Sequence, residues 1–390
     1  MGTAFIIKGV TTTNMRFIDL QRQYQVIKET IQKRINTVIE NTSFIMGPEV
    51  QELEDILSKY CGVKHCITCS SGTDALLLPL IAKGIGPGDA VLTTPFTFFA
   101  TAEVISLLGA TPVFVDICRD TFNIDPLKAE RTIIDFKAGR FPTPQYKPGL
   151  KLRAIIAVDL FGLPADYDAI NAIARKYGLL VIEDAAQSFG GKYHGRMACN
   201  LAEVAATSFF PAKPLGCYGD GGAVFTNDGE LADVMRSLRI HGKGKDQYDN
   251  VRIGINGRLD TLQAAVLLSK MEIFEDEILK RQWVAEEYTK RLYNVVKTPT
   301  IPCEYRSAWA QYTLISNDRA NALERLKKAG IPTMVYYPKP LHLQTAFAAL
   351  GYRPGSMPVA EELAGKVFSL PMHPYLTGEE IDRVCAPLLG

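Results

Sequence analysis

AIIAVDLFGLPADYDAINAIARKYGLLVIEDAAQSFGG, residues 154–191, sets the frame for the whole chain. It opens on an apolar run, AIIAV, and ends past a second one, LLVIE. Between them Ile170, Ile173, Ala174 and Tyr177 recur on one helical face, and Gly178 supplies the stop. Strand, helix and strand in that order predict a parallel pair joined by a crossover helix.

The same alternation extends in both directions through residues 60–240. VKHCITC, AVLTT and PVFVD lie upstream, and ATSFF and AVFT downstream. The expected fold is therefore α/β, with a mostly parallel seven-stranded sheet covered on both faces, made from the runs just quoted. Ligands of such sheets bind beyond the carboxyl ends of the strands. KAGRFPTPQYKPG (137–149) predicts a surface loop. One long helical stretch is expected from about Leu259 to Leu292, after which short strands, ANALERLKKAG and GEEIDRVCAPLL suggest a smaller α/β unit. The expected division is a loosely held extension at 1–14, a large domain at 15–274 and a small C-terminal domain at 275–390.

Bulk properties remove several classes of function. Lys and Arg total 43 against 42 Asp and Glu, with no long block of either sign, so a nucleic-acid footprint is not expected. No apolar stretch approaches the roughly 20 residues of a membrane span. The start, MGTAFIIKGVTTTN, lacks the pattern of an export signal, and Ile6 stands where myristoylation needs Ser or Thr. A cytoplasmic protein is expected. Cys66 and Cys69, in VKHCITCSS, fall on opposite faces of a strand, so buried thiols rather than a metal or redox pair are predicted, and no metal site is expected.

Three segments carry candidate chemistry. In CSSGTDALLLPL (69–80) a strand ends, a turn passes through Gly72 and Thr73, and a helix is expected from Asp74. Unpaired N–H groups at such a terminus attract phosphate, although an ordinary turn with Thr73 as N-cap reads equally well. GIGPGD (84–89) has the wrong glycine spacing for a dinucleotide fingerprint and reads as a turn, which disfavours a nicotinamide dehydrogenase. LLVIEDAAQSFGG (179–191) delivers Glu183 and Asp184 at a strand end; Asp184 suits a ligand crevice or a helix N-cap. In TSFFPAKPLGCYGDGGAVFTND (207–228), Lys213 sits between Pro211 and Pro214 in apolar, glycine-punctuated surroundings, poor context for a solubilising lysine. Partial burial of that amine would make it a nucleophile toward an aldehyde.

Together with NGRLDTLQAA (256–265), these segments closely resemble the DegT/StrS sugar aminotransferases, from about Met15 to the C-terminus. The resemblance implies the aspartate-aminotransferase type of fold (fold type I) and the cofactor pyridoxal 5'-phosphate (PLP). It makes Lys213 the residue that bonds to the cofactor aldehyde and Asp184 the partner of the pyridine nitrogen. Gln187 would bind the ring hydroxyl; Gly72, Thr73 and Ser208 the phosphate; and Phe98, where members often carry Tyr or Trp, would stack on the ring. Asn256 would reach the phosphate of the partner subunit's cofactor, implying a homodimer with shared sites. Arg258 would meet an anionic part of the substrate or pair with Asp260, and Tyr337, Lys339 and His342, in YYPKPLHLQ, would line the sugar pocket. Asp159 stands where some relatives have His and carries no expected role.

The implied reaction moves an amino group from glutamate to a nucleotide-linked keto sugar, a UDP-2-acetamido-3-oxo sugar such as the glucuronate before a 4-keto-6-deoxy sugar. Sugar dehydratases of this family have His in place of the lysine, which Lys213 argues against. A non-catalytic regulatory relative would not need both Lys213 and Asp184.

Overall fold

The computed structural model describes residues 15–246 and 248–389; the expected extension at 1–14 lies outside them. The large sheet contains β1 (His65–Cys69), β2 (Asp89–Thr93), β3 (Thr111–Phe114), β4 (Lys151–Val158), β5 (Leu180–Asp184), β6 (Val204–Ser208) and β7 (Gly222–Thr226). Each corresponds to one of the apolar runs. Their spatial order is β1-β7-β6-β5-β4-β2-β3. Pairing is parallel throughout except at β7, which runs antiparallel to both its neighbours. Because β7 returns directly from β6 through residues 209–221, that connection folds back at the carboxyl end of β6 instead of crossing a face.

Among the described residues twelve α-helices surround the sheets: α1 (Leu20–Asn41), α2 (Pro48–Cys61), α3 (Gly72–Ala82), α4 (Ala100–Leu107), α5 (Pro126–Lys137), α6 (Tyr167–Tyr177), α7 (Gly229–Leu238), α8 (Thr261–Met271), α9 (Phe274–Leu292), α10 (Arg319–Lys328), α11 (Pro358–Lys366) and α12 (Gly378–Leu389). In α6, Ile170 and Ala174 are buried and Gly178 ends the helix at φ +70°, a left-handed cap that glycine adopts without a Cβ clash. The single long helix expected up to Leu292 is two. The ladder breaks at Ile273, so that Phe274 turns inward against Phe189 and Tyr60, with ring centroids 5.4 and 5.7 Å away.

Cys66 packs with Ala205 and Phe225 on one side of the sheet, and Cys69 with Ile67 and Val224 on the other, so the two thiols do point apart. Among the described residues no group of three or more His, Cys, Asp or Glu is placed to hold a metal ion. No helix among them is long and apolar enough to cross a membrane.

Beyond α9, β8 (Tyr312–Ile315) pairs antiparallel with β9 (Val367–Leu370). They share a core with Val284, Tyr288, Ile381 and Val384. Residues 341–367, however, pack Leu341, Phe347, Tyr352 and Leu363 into the core beside β3 and α5. The Pro-rich loop at 137–149 is tied into that contact and is not purely superficial. Buried Tyr146 donates to the Pro112 carbonyl at 2.6 Å and shares a 3.1 Å hydrogen bond with the Tyr352 hydroxyl.

Candidate active site

Register brings the chemistry to one edge. Cys69 and Ser208 both lie opposite Gly222, and Asp184 lies opposite Ala206. The carboxyl ends of β1, β5 and β6 therefore meet where the 209–221 connection departs, and this positions three candidate segments side by side.

At the end of β1, α3 starts at Gly72, not Asp74, and its N-cap is Ser71, not Thr73. Ser71 Oγ accepts from the Asp74 N–H at 3.1 Å and the Ser71 carbonyl accepts from the Ala75 N–H at 3.0 Å. The N–H groups of Gly72 and Thr73 come before any intrahelical acceptor and remain for a ligand. A Cβ at position 72 would sit 2.6 Å from Ser208 Cβ, so only glycine fits, and Ser208 lies directly against the helix start. Ser208 Oγ accepts from the Phe210 N–H at 3.2 Å, which leaves its own hydrogen to donate outward. Two amides and a hydroxyl thus converge as an anion cradle.

Asp184 ends β5 and is 4% exposed. Its Oδ2 accepts from Thr101 Oγ1 at 2.8 Å and its Oδ1 from the Ala186 N–H at 3.3 Å. Burial raises its pKa; the Thr101 and Ala186 donors and the charge of Lys213 oppose the rise. A cationic ring nitrogen is what such a carboxylate lacks. The backbone of Lys213 is held by its N–H donating to the Phe210 carbonyl at 2.9 Å. The residue as a whole is half-buried, but its amine end lies deep enough for desolvation to lower its pKa, against the opposing pull of Asp184. The opposite charges of the two groups each offset part of the other's desolvation.

Gln187 follows on the same loop. Its Oε1 accepts from the Phe161 N–H at 2.7 Å, which turns its NH2 toward the Tyr337 hydroxyl, 3.3 Å away. Tyr337 therefore joins the site, its hydroxyl held protonated by burial. Phe98 is 59% exposed, so plain core packing does not explain it, and a face remains open for a flat ligand.

The remaining expected residues divide. Asn256 is exposed and Arg258 half-buried with its Nε unpartnered. Arg258 makes no ion pair with Asp260 among the described residues, and the carbonyl of Gly257, between Asn256 and Arg258, accepts from the Ser70 N–H at 3.0 Å, which places this segment beside the cradle. Lys339 is exposed at the start of the 339–344 turn, where its carbonyl accepts from Gln344 Nε2 at 3.2 Å. His342 is a correction. It is 1% exposed, its Nε2 is 3.0 Å from Glu361 Oε1, and it packs between Phe114 and Tyr352, so it braces the fold and does not line a pocket. Thr101 was not foreseen: a threonine in the first turn of a helix carries no signal until the fold brings it to Asp184.

An anion cradle, a buried carboxylate lacking a cation and a desolvated amine are the three groups that PLP requires of a protein, for its phosphate, pyridine nitrogen and aldehyde. The comparisons agree. The model of the DegT/DnrJ/EryC1/StrS aminotransferase family matches residues 25–389. UDP-2-acetamido-2-deoxy-3-oxo-D-glucuronate aminotransferase from Pseudomonas aeruginosa is 51% identical over 375 residues, covering 96% of this chain and 99% of that one. The crystal structure of a DegT DnrJ EryC1 StrS aminotransferase from Brucella abortus superposes with a TM-score of 0.92 at 51% identity, covering 96% of this chain and 99% of the other. A Bacillus subtilis structure, ntda with bound cofactor PMP, superposes with a TM-score of 0.87 at 30% identity, covering 98% of this chain and 86% of its own. The chain belongs to the DegT/DnrJ/EryC1/StrS aminotransferase family, whose members use PLP.

Proposed function

We propose that this enzyme transfers an amino group from glutamate to the 3-oxo position of a UDP-linked 2-acetamido-2-deoxy sugar, such as the glucuronate. The observation that carries the reading is 51% identity across nearly the full length of a relative named for that substrate. Bound PLP supplies an aldehyde for amine exchange and a pyridine ring that withdraws electrons. Lys213 is the residue that would hold the cofactor's aldehyde carbon, and its amine, once free, would carry the proton to and from the substrate α-carbon. Asp184 holds positive charge at the ring nitrogen. Gly72, Thr73 and Ser208 hold the phosphate, Gln187 the ring hydroxyl, and Phe98 covers the ring. Tyr337, Lys339 and Arg258 are the proposed sugar contacts.

The same reading makes the active unit a cytoplasmic homodimer, with residues 15–274 as the cofactor-binding part and 275–390 as the smaller one. The side chain of exposed Asn256 and the Arg258 Nε, which find no hydrogen-bond partner among the described residues, support a second subunit. Mixing Asn256 and Lys213 variants should restore part of the activity through hybrids; no recovery would remove shared sites. For the substrate, a panel of nucleotide keto sugars with glutamate, followed by 2-oxoglutarate release, should show ping-pong kinetics and preference for the 3-oxo member. Equal rates on 4-oxo sugars would refute the positional assignment.

A further inference from the structure

Asp159 lies directly behind the site and is fully buried at 0% exposure. Its Oδ1 accepts from the Tyr167 hydroxyl at 2.8 Å and the Ala165 N–H at 2.9 Å, and its Oδ2 from Ser188 Oγ at 2.6 Å. Its own N–H donates to the Asp184 carbonyl at 3.1 Å. One residue therefore grips both ends of the 184–188 segment, whose Asp184 and Gln187 face the cofactor site.

It also closes the 159–165 turn, and that turn matters for Gln187. Phe161 stands at φ +60°, a left-handed conformation that a bulky residue adopts only under constraint. That conformation accompanies the Phe161 N–H bond that sets the direction of the Gln187 amide. Three donors converge on the Asp159 side chain, and a carboxylate accepts from all of them without any of them turning. Burial raises the Asp159 pKa and the charge of Asp184 adds to the rise, while the Ser188, Ala165 and Tyr167 donors pull it down. Filling space alone would not need a group so costly to bury.

We propose that Asp159 is a positioning residue, whose carboxylate clamps the 184–188 segment to the 159–165 turn and so holds Asp184 and Gln187 where they meet PLP. The inference rests on the reading of the site given above. Groups that orient a ligand-contacting side chain from behind typically change affinity or activity by about tenfold or more when removed.

The test compares Asp159→Ala, Asp159→Asn, Ser188→Ala and a remote core truncation, Ile133→Ala. For each, PLP affinity is measured by titrating the apo-protein, the bound cofactor's visible band is followed against pH, and the melting temperature is recorded. Asp159→Ala should weaken PLP binding by about tenfold and displace the pH midpoint of the band. Asp159→Asn should remain close to wild type, since its amide oxygen accepts two bonds and the Ser188 hydroxyl can turn to accept from its NH2. Ser188→Ala should move both readouts in the same direction by less. Ile133→Ala should lower the melting temperature and leave both readouts in place. The clamp is overturned if Asp159→Ala shifts them no further than Ile133→Ala, or if Asp159→Asn is as defective as Asp159→Ala. Should Asp159→Ala not fold, Ser188→Ala against Ile133→Ala decides by the same criterion. A wild-type protein that fails to bind PLP would strike the site assignment instead.

Discussion

Two lysines of this protein are desolvated, and they are put to opposite uses. Lys213 presents a lowered-pKa amine on the 209–221 connection, with Asp184 as its charged neighbour and no hydrogen bond to its Nζ among the described residues. Lys270, on α8, is 1% exposed, and burial lowers its pKa to about 8. Its amine donates to the Gly216 carbonyl and lies 4.5 Å from the Tyr218 ring centroid, both on the connection that carries Lys213. Burial by itself, then, does not make a nucleophile. A lysine whose donors are already engaged is a fastener, and one left without a partner is a reagent.

The largest effect should come from removing the reagent. Lys213→Ala should lower transamination by about 10³-fold or more, measured as 2-oxoglutarate release, with the fold retained by circular dichroism. Next, Asp184→Asn should cost about 10²-fold in kcat/KM, because the charge that stabilises the reacting ring is lost. It should also lower the Lys213 pKa further, since the carboxylate now holds that pKa up. Thr101→Val should cost about tenfold by removing a hydrogen bond to a charged group. It should also push the Asp184 pKa higher and carry the acid limb of the pH–rate profile upward, since Thr101 opposes the rise caused by burial.

Lys270→Met should leave the rate within a few-fold of wild type, the roughly 1–3 kcal/mol of an unpaired buried carbonyl at Gly216 falling on stability instead. Its signature is in stability. Between about 8 and the ordinary 10.5, the unfolded chain holds a proton at Lys270 that the folded chain has released, so folding is favoured increasingly as pH rises through that window. Urea midpoints of wild type minus Lys270→Met should rise from pH 8 to 10; a flat difference would place Lys270 with ordinary surface lysines. Smallest of all, His342→Gln should leave KM for the sugar unchanged while lowering the melting temperature. A KM effect would return His342 to the pocket.

Lys213 and Asp184 were legible because local features mark them: a strand end for Asp184 and a stiff, apolar, glycine-punctuated setting for Lys213. The strands were legible for the same reason, since a sheet covered on both faces needs unbroken apolar runs. Contacts between distant segments were not. Thr101 meets Asp184 across 83 positions of sequence, and the burial of His342 depends on Phe114, Tyr352 and the Glu361 that α11 brings to it. The break at Ile273 was hidden because the amphipathic pattern continues across it, and only the packing of Phe274 reveals the turn.

The alignment of Cys69, Gly222 and Ser208 has a practical consequence for anyone redesigning this enzyme. Successive residues of a strand alternate between faces, so one residue inserted within β6 would swing the Ser208 hydroxyl to the far side of the sheet. A side-chain exchange acts at its own position, but a change of length shifts the facing of every residue beyond it. New acceptor specificity is better sought at the proposed sugar contacts Tyr337 and Lys339, leaving residues 204–222 at their present count.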